Sequence, residues 1–171
     1  MKKIVLFLAL LLCAVPVFAQ VDLPAWDDLE AGTWTQIEPG GETICATGTP
    51  YSFFARPAQE ASDKLLIYFQ GGGACWFGNI CDLDANPTYD PFVDESDQPG
   101  PNGIFDYSNE ENPFADYNTV FIPYCTGDVF LGDKVTTYSS EATEEFTIYH
   151  KGFVNSSTVL DWTFANISDP S

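Results

Sequence analysis

The sequence predicts an α/β fold, because two apolar runs of strand length are followed by a helical pattern. The runs cover residues 64–69 (KLLIYF) and 118–124 (NTVFIPY), and neither alternates between apolar and polar positions. Strands that are buried on both faces of a sheet have this continuous apolar character. Residues 153–167 place apolar side chains at the spacing of a helix. Strand, connection, strand and helix in this order are typical of an α/β sheet.

The first nineteen residues have the pattern of a secretory signal peptide. Lys2 and Lys3 precede an apolar stretch over residues 4–14, and the small-residue pattern that ends at Ala19 suits cleavage. The apolar stretch is shorter than the about 20 residues that span a bilayer. We therefore expect cleavage near Ala19, a secreted or periplasmic product and no membrane contact afterwards. Residues 20–171 are sufficient for one domain with an ordinary core.

Two shorter strands are predicted ahead of the first buried one. Residues 33–38 (TWTQIE) alternate, and the Pro-Gly-Gly that follows them at 39–41 favours a turn. Residues 51–56 (YSFFAR) form the second candidate strand, which Pro57 ends.

Between the two buried strands, residues 82–117 are rich in Asp, Glu, Asn, Pro and Gly. This composition predicts an irregular, exposed connection with short helices at most. For the final helix, over residues 153–167, we expect an N-terminal cap near Asn155 or Ser156.

The charge balance of the chain is strongly acidic. The chain has 25 acidic and 6 basic residues, with a formal net charge of −19 at pH 7. Removal of the signal would leave four basic residues against all 25 acidic ones. Such a surface repels nucleic acid and anionic membranes, so neither is an expected partner. With 45% hydrophobic and 15% aromatic residues, the chain is nevertheless expected to fold.

Four cysteines remain once Cys13 leaves with the signal: Cys45, Cys75, Cys81 and Cys125. An even number in an exported chain indicates two disulfides, and three connectivities are open. A zinc site is the rival interpretation, but the spacings contain no C-x2-C pair. No metal site is therefore predicted.

A run of three glycines, Gly71 to Gly73, follows the first buried strand directly. The carboxyl ends of strands are where α/β sheets place their sites. Three uses of such a run are open: binding a phosphate, stabilising a developing oxyanion, or forming a tight turn. The first is disfavoured, since neither G-x-G-x-x-G nor a Gly-Lys-Ser/Thr ending is present.

Two further patterns are incomplete. The stretch DLDANPTYDPFV begins like a calcium loop, but Pro87 replaces the required glycine and Val93 replaces the final glutamate. No serine has glycines two residues before and two residues after it, so the G-x-S-x-G nucleophile motif is absent. The only histidine, His150, could act as a general base, but a structural role is the stronger hypothesis without a nucleophile.

Several ordered stretches together resemble the amino-terminal half of the pectinacetylesterase/Notum family. They are TICATGTPYSFFARP, KLLIYFQGGGACWFGNIC, NPFADYNTVFIPYCTGDVFLGD and IYHKGFVNSSTVLDW, and they span most of the chain after the signal. The resemblance implies an α/β-hydrolase-like, mostly parallel sheet with an N-terminal β region. It also implies a Ser–Asp–His esterase that needs no cofactor and acts on acylated carbohydrate or another ester.

The resemblance also implies roles for particular residues. Gly72 and Gly73, with Ala74 adjacent, match the oxyanion-hole loop, and Trp76 and Asp128 match motifs near the substrate pocket. Core packing is the alternative role for Trp76, and loop capping is the alternative for Asp128. The implied disulfides are Cys75–Cys81 and Cys45–Cys125.

The family's Gly-x-Ser-Ala-Gly nucleophile motif follows the helix that corresponds to residues 154–167. The present sequence ends at Ser171, before that motif, so we expect an incomplete chain that lacks the catalytic triad. The alternative hypothesis is an exported, disulfide-bonded module that binds carbohydrate or calcium without catalysis.

Overall fold

The computed structural model describes residues 22–85 and 87–167. The predicted signal peptide, residues 1–19, lies outside the described residues. Six strands and two α-helices are present in the described part, together with four short 3-10 helices. The strands are β1 (Thr35–Ile37), β2 (Phe53–Arg56), β3 (Leu65–Phe69), β4 (Asn118–Ile122), β5 (Lys134–Tyr138) and β6 (Phe146–His150). The α-helices are α1 (Gly78–Cys81) and α2 (Gly152–Asn166).

The main sheet is mixed, with the strand order β1-β2-β4-β3. Strand β3 pairs with β4 in parallel, whereas β2 is antiparallel to both of its neighbours. The expectation of a mostly parallel sheet is therefore wrong for the described strands. The long connection after β3 permits the one parallel pairing, since parallel strands need a crossover of a dozen or more residues. Between β1 and β2, by contrast, the chain turns back on itself, with Gly40 and Gly41 at positive φ.

The two apolar runs differ in how deeply they are buried. Strand β4 is buried along its whole length, as the sequence predicts. Strand β3 lies at the edge of the described sheet, so most of its residues are only half-buried and Phe69 is exposed. The prediction of two-sided burial is thus confirmed for β4 and wrong for β3.

A second, two-stranded sheet was not predicted. Strands β5 and β6 pair antiparallel in register from Lys134 opposite His150 to Tyr138 opposite Phe146. The Tyr149 N–H donates to the Ala46 carbonyl at 3.0 Å, which attaches this hairpin to the loop between β1 and β2. The buried Ile148 of the hairpin packs in a small core cluster with Cys75 and Cys81.

Helix α2 forms close to its predicted position, but the predicted cap is wrong. Asn155 and Ser156 lie inside the helix and are buried. The Asn155 side chain accepts from the Ile44 N–H at 3.0 Å and donates to the Ile44 carbonyl at 2.9 Å. The Ser156 hydroxyl donates to the Gly152 carbonyl one turn earlier. Asn155 therefore serves a tertiary contact and Ser156 a contact within the helix, and neither caps its start.

The main core lies between the sheet and α2. Trp162 of α2 packs against the ring of Phe53 with centroids 5.0 Å apart, and Val120 and Ile122 of β4 are fully buried in the same cluster. The indole N–H of Trp162 donates to the Pro24 carbonyl, which ties the N-terminal segment to the helix.

The connection between β3 and β4 contains short helices, as predicted. Three 3-10 helices are described in it, at Leu83–Ala85, Glu95–Asp97 and Gly103–Phe105. Among the described residues, no helix is long and apolar enough to cross a membrane.

Two disulfides are present, and they join the same cysteines that the resemblance implies. Cys45 pairs with Cys125, 80 residues further along the chain, and Cys75 pairs with Cys81, six residues further. All four cysteines are buried. The long-range disulfide fixes the loop before β2 to the end of β4, whereas the short-range one closes α1 onto the glycine run.

Replacing Cys45 and Cys125 together by serine should lower the free energy of unfolding by about 4.5 kcal/mol, because the bond restricts a long segment of the unfolded chain. Removing the Cys75–Cys81 pair in the same way should cost about 2 kcal/mol, since its loop is short. Urea unfolding of both double variants provides the comparison. Equal losses for the two pairs would contradict this loop-length account.

Candidate functional site

The glycine run lies at the carboxyl end of β3 and forms one wall of a small cavity. The cavity has a volume of about 150 Å³. Its lining consists of Gln70, Gly71, Gly72, Gly73, Tyr124, Val129 and Phe130. Tyr124 follows β4, the parallel neighbour of β3, so the cavity lies where the carboxyl ends of two parallel strands meet. This is the usual place for a site in an α/β sheet.

Steric crowding explains two of the three glycines. None of the three has the positive φ that glycine alone adopts easily. A Cβ at Gly72 would lie 2.5 Å from the Tyr124 ring, and a Cβ at Gly73 would overlap Thr88. A Cβ at Gly71 would meet nothing within 4 Å. The run therefore allows close approach of the backbone to Tyr124 and Thr88.

The backbone N–H groups of this loop divide into bonded and free donors. Gly73 donates to the Thr88 carbonyl at 3.0 Å, and Cys75 donates to the Gly127 carbonyl at 2.8 Å. Within residues 22–85 and 87–167, the N–H groups of Gly71, Gly72 and Ala74 have no acceptor. Of the residues that the resemblance assigns to the oxyanion hole, Gly72 and Ala74 thus present free donors, whereas the Gly73 donor is occupied.

The opposite wall of the cavity has an unusual backbone. Val129 and Phe130 adopt left-handed conformations, with φ values of 55° and 58°. Such values are rare for a β-branched or bulky residue and cost of order 1–3 kcal/mol each, and they concentrate at functional sites. The Tyr124 hydroxyl accepts from the Val129 N–H at 2.8 Å and helps to hold this conformation. Burial raises the pKa of Tyr124, so its hydroxyl stays protonated at neutral pH.

The carboxylate of Asp128 stabilises the turn that contains Val129 and Phe130. It accepts from the Thr126 hydroxyl at 2.7 Å and from the backbone N–H groups of Phe130 at 3.1 Å and Gly132 at 3.2 Å. It also accepts from the Gly152 N–H at 2.8 Å, at the start of α2, where a negative charge is favourable. Asp128 does not line the cavity. Its contacts are those of loop capping, and they do not test a role in the substrate pocket.

Trp76 lies two residues beyond the free donor of Ala74. Its side chain is 71% exposed and contacts the ring of Phe77, with centroids 6.1 Å apart. It neither lines the cavity nor packs in the core, so the structure supports neither of its two expected roles directly.

His150 is bonded through both ring nitrogens. Nδ1 lies 2.9 Å from the Thr126 carbonyl and so carries the hydrogen, while Nε2 lies 3.0 Å from the Tyr138 hydroxyl. The ring is buried beside Cys75 and Cys81, whose sulfur atoms are paired with each other and are not thiolate ligands. These contacts fit the structural role that the sequence favours for this histidine.

Tyr124, Val129 and Phe130 line the cavity but were not predicted from the sequence. The sequence did point to Tyr124, since this residue lies in the VFIPYC stretch on which the resemblance rests. It did not point to Val129 and Phe130, because it gives no indication that such residues would adopt positive φ.

A mixed α/β sheet with free loop donors at the carboxyl end of a parallel strand is consistent with the hydrolase-like class of α/β proteins. The chain belongs to the pectinacetylesterase family, whose sequence model matches residues 35–165. It is thus a member of an esterase family.

Relatives of this chain include proteins named as Notum carboxylesterases. It is 35% identical over 95 residues to palmitoleoyl-protein carboxylesterase NOTUM of Schmidtea mediterranea and 32% identical over 101 residues to that of Homo sapiens. These matches cover 53% and 57% of the chain, but only 18% and 20% of the relatives. The chain is also 30% identical over 106 residues to inactive palmitoleoyl-protein carboxylesterase notum1b of Danio rerio, covering 60% of the chain and 75% of that relative.

Gly72→Ala should lower the free energy of unfolding by about 1–3 kcal/mol, because the new methyl group would collide with the Tyr124 ring. Gly71→Ala is the matched control and should change stability by about 0.5 kcal/mol or less, since its methyl group meets no atom within 4 Å. Urea unfolding of both variants measures the difference. If both variants lost the same stability, the crowding explanation would be wrong.

Val129→Asn should raise the free energy of unfolding by about 1 kcal/mol, because asparagine tolerates the left-handed conformation better than valine. Val135→Asn is the control, since this half-exposed valine lies in β5 and is not at positive φ. The control should lose stability or stay unchanged. Thermal unfolding of the two variants tests whether strain is stored at residue 129, and a loss at both positions would argue against it.

Proposed function

We propose that this chain is the amino-terminal part of an exported carboxylic ester hydrolase of the pectinacetylesterase type, which removes acyl groups from carbohydrate or another O-acyl ester. The observation that carries the proposal is the free N–H donor of Gly72 in the wall of the cavity that follows β3, with a second free donor at Ala74 in the same loop. In esterases with an α/β-hydrolase fold, the loop after an early strand supplies one donor of the oxyanion hole.

In this mechanism a serine attacks the acyl carbonyl, a histidine accepts its proton, and the carbonyl oxygen gains negative charge. The task of the present residues is to hold N–H donors about 3 Å from that oxygen. One such donor contributes about 3–4 kcal/mol to lowering the barrier. The serine, histidine and aspartate are proposed to come from sequence that follows residue 171. The ring nitrogens of His150 bond to the Tyr138 hydroxyl and the Thr126 carbonyl, and not to the serine and carboxylate of a triad.

The size of the cavity favours a short acyl group. Its volume of about 150 Å³ equals the liquid volume of about five water molecules. An acetyl group fits such a space between the glycine loop and the rings of Tyr124 and Phe130. The proposed substrate is therefore an acetyl ester, and the palmitoleoyl group in the names of the relatives is not carried over to this chain.

Export is part of the proposal, and two observations support it. The sequence begins with a signal-peptide pattern, and both disulfides are buried in the fold. Structural disulfides persist in oxidising compartments and are rare in the cytosol.

A second candidate function is a binding module without catalysis. The observation in its favour is the zebrafish relative that is named as inactive, most of whose length this chain covers. In that case the glycine loop would hold a ligand oxygen and no bond would be cleaved.

Expression of the complete coding sequence distinguishes these functions. We expect a Gly-x-Ser-Ala-Gly motif downstream and hydrolysis of p-nitrophenyl acetate, which a serine-to-alanine change in that motif should abolish. Ala74→Pro removes the N–H and should lower kcat by about 10²–10³-fold with little change in KM. Ala74→Gly keeps the N–H and is the control, and thermal unfolding checks that both variants fold. An intact gene without the motif, whose folded product leaves the ester uncleaved, would overturn the hydrolase proposal and favour the binding module.

A further inference from the structure

Another cavity is lined largely by residues of the connection between β3 and β4 and shares no lining residue with the glycine-loop cavity. Its volume is about 330 Å³. Three aromatic side chains, Trp34, Phe105 and Tyr107, form much of its wall, and Trp34 packs edge-on against the other two. The side chain of Arg56 in β2 also lines it. The cavity thus combines flat apolar surfaces with one cation.

One nitrogen of the Arg56 guanidinium is buried without a hydrogen-bond acceptor in the described part of the chain. The residue is only 6% exposed, and among the described residues its Nη1 atom is buried with no partner. No described carboxylate forms an ion pair with it, whereas Lys64 pairs with Asp116 and Lys151 pairs with Asp133 at the surface. A buried, unpaired cation is costly, and proteins ordinarily pair or hydrogen-bond such a charge.

Tyr107 compensates only part of this cost. Its ring centroid lies 3.5 Å from Cζ of Arg56, so the guanidinium stacks on the aromatic face. The Tyr107 hydroxyl donates to the Thr119 hydroxyl, which fixes the ring in place. The stacking contact compensates part of the charge of Arg56. The ring face accepts no hydrogen bond from the guanidinium N–H groups, because these donors lie in the plane of the guanidinium. The hydrogen-bonding capacity of Nη1 of Arg56 therefore remains unfilled among the described residues.

Gly32 also lines this cavity, and a Cβ at this position would lie 3.7 Å from Nη2 of Arg56. The same Cβ would overlap Oε1 of Gln59, so the glycine, which has a φ of 74°, makes room for the Gln59 side chain beside the guanidinium.

We propose that this cavity binds a small molecule that carries one carboxylate on a six-membered ring, such as a uronic acid or an aromatic acid. The carboxylate would accept from the guanidinium edge of Arg56, and the ring would lie against the aromatic wall. A planar guanidinium is matched in geometry to a carboxylate, and both form strong charge-assisted hydrogen bonds. The aromatic wall supplies the apolar contact that ligand cavities ordinarily provide.

The surrounding charges favour one negative charge over two. Asp106 lines the cavity, although its carboxylate accepts from the N–H and hydroxyl of Ser108. The whole chain carries a formal charge of −19. A single guanidinium in this setting balances a carboxylate, whereas phosphate or sulfate would leave excess negative charge beside Asp106.

Arg56 is the only arginine in the chain, so its side chain gives one identifiable Nε–Hε signal in an NMR spectrum. Titration of the disulfide-bonded protein with benzoate, glucuronate or galacturonate should shift this signal and saturate at millimolar concentration. Benzamide and glucose, the uncharged analogues, should leave it unchanged. Saturation by benzoate but not by the sugars would assign the site to aromatic acids, and the reverse would assign it to uronic acids. A signal unmoved by all three acids would overturn the proposal.

Arg56→Met keeps an unbranched apolar stem and removes the guanidinium with its charge, and it should weaken carboxylate affinity at least tenfold. Lys134→Met is the matched control, since it removes the same charge from an exposed position in β5 and should change affinity less than twofold. Line-shape analysis of the ligand signals measures affinity in both variants, and thermal unfolding confirms their folding. If Arg56→Met did not fold, the wild-type titration would remain decisive. Equal affinities of the folded variants would refute the role of Arg56.

Discussion

The carboxylate of Asp128 is the contact on which the glycine-loop cavity depends. It accepts from one hydroxyl and three backbone N–H groups, and these donors lie in the turn after β4 and at the start of α2. Hydrogen bonds to a charged acceptor are stronger than those between neutral groups. One side chain therefore joins the end of the central strand to the helix packed on the sheet. It also holds the turn in which Val129 and Phe130 adopt their left-handed conformations.

The two walls of this cavity are built by different physical means. On one side the absence of Cβ atoms lets the backbone at Gly72 and Gly73 approach Tyr124 and Thr88 closely. On the other side, bulky residues occupy a strained backbone that the surrounding hydrogen bonds maintain. Tyr124 contacts both walls, since its ring lies against Gly72 and its hydroxyl accepts from Val129. Such strain persists only where neighbouring structure enforces it, which here means Asp128 and Tyr124 together.

Much of this fold was readable from local sequence, and the exceptions have physical causes. The burial of strand β4 was predicted correctly, because its apolar run reflects contacts on both faces. The same pattern predicted too much burial for β3, because that strand lies at the edge of the described sheet. The β5–β6 hairpin escaped prediction since neither strand is strongly apolar, and its anchors are tertiary contacts such as that of Tyr149 with Ala46. For the site, the sequence located the glycine run but could not tell which of its amides are free. That depends on Thr88 and Gly127, which are remote in sequence.

The alternation of bonded and free amides bears on how the loop could act on a ligand. Because Gly73 and Cys75 are anchored through their N–H groups, the peptide units beside them are restrained, and the donors of Gly72 and Ala74 cannot readily turn inward to find other acceptors. Water satisfies a free N–H at a cavity surface at little cost. A developing oxyanion that replaced this water would meet donors already in place, so no reorganisation would be needed when the charge forms. Preorganised donors of this kind are the main source of electrostatic stabilisation in acyl transfer. The anchoring bonds of the neighbouring residues are therefore as important to this site as the free donors themselves.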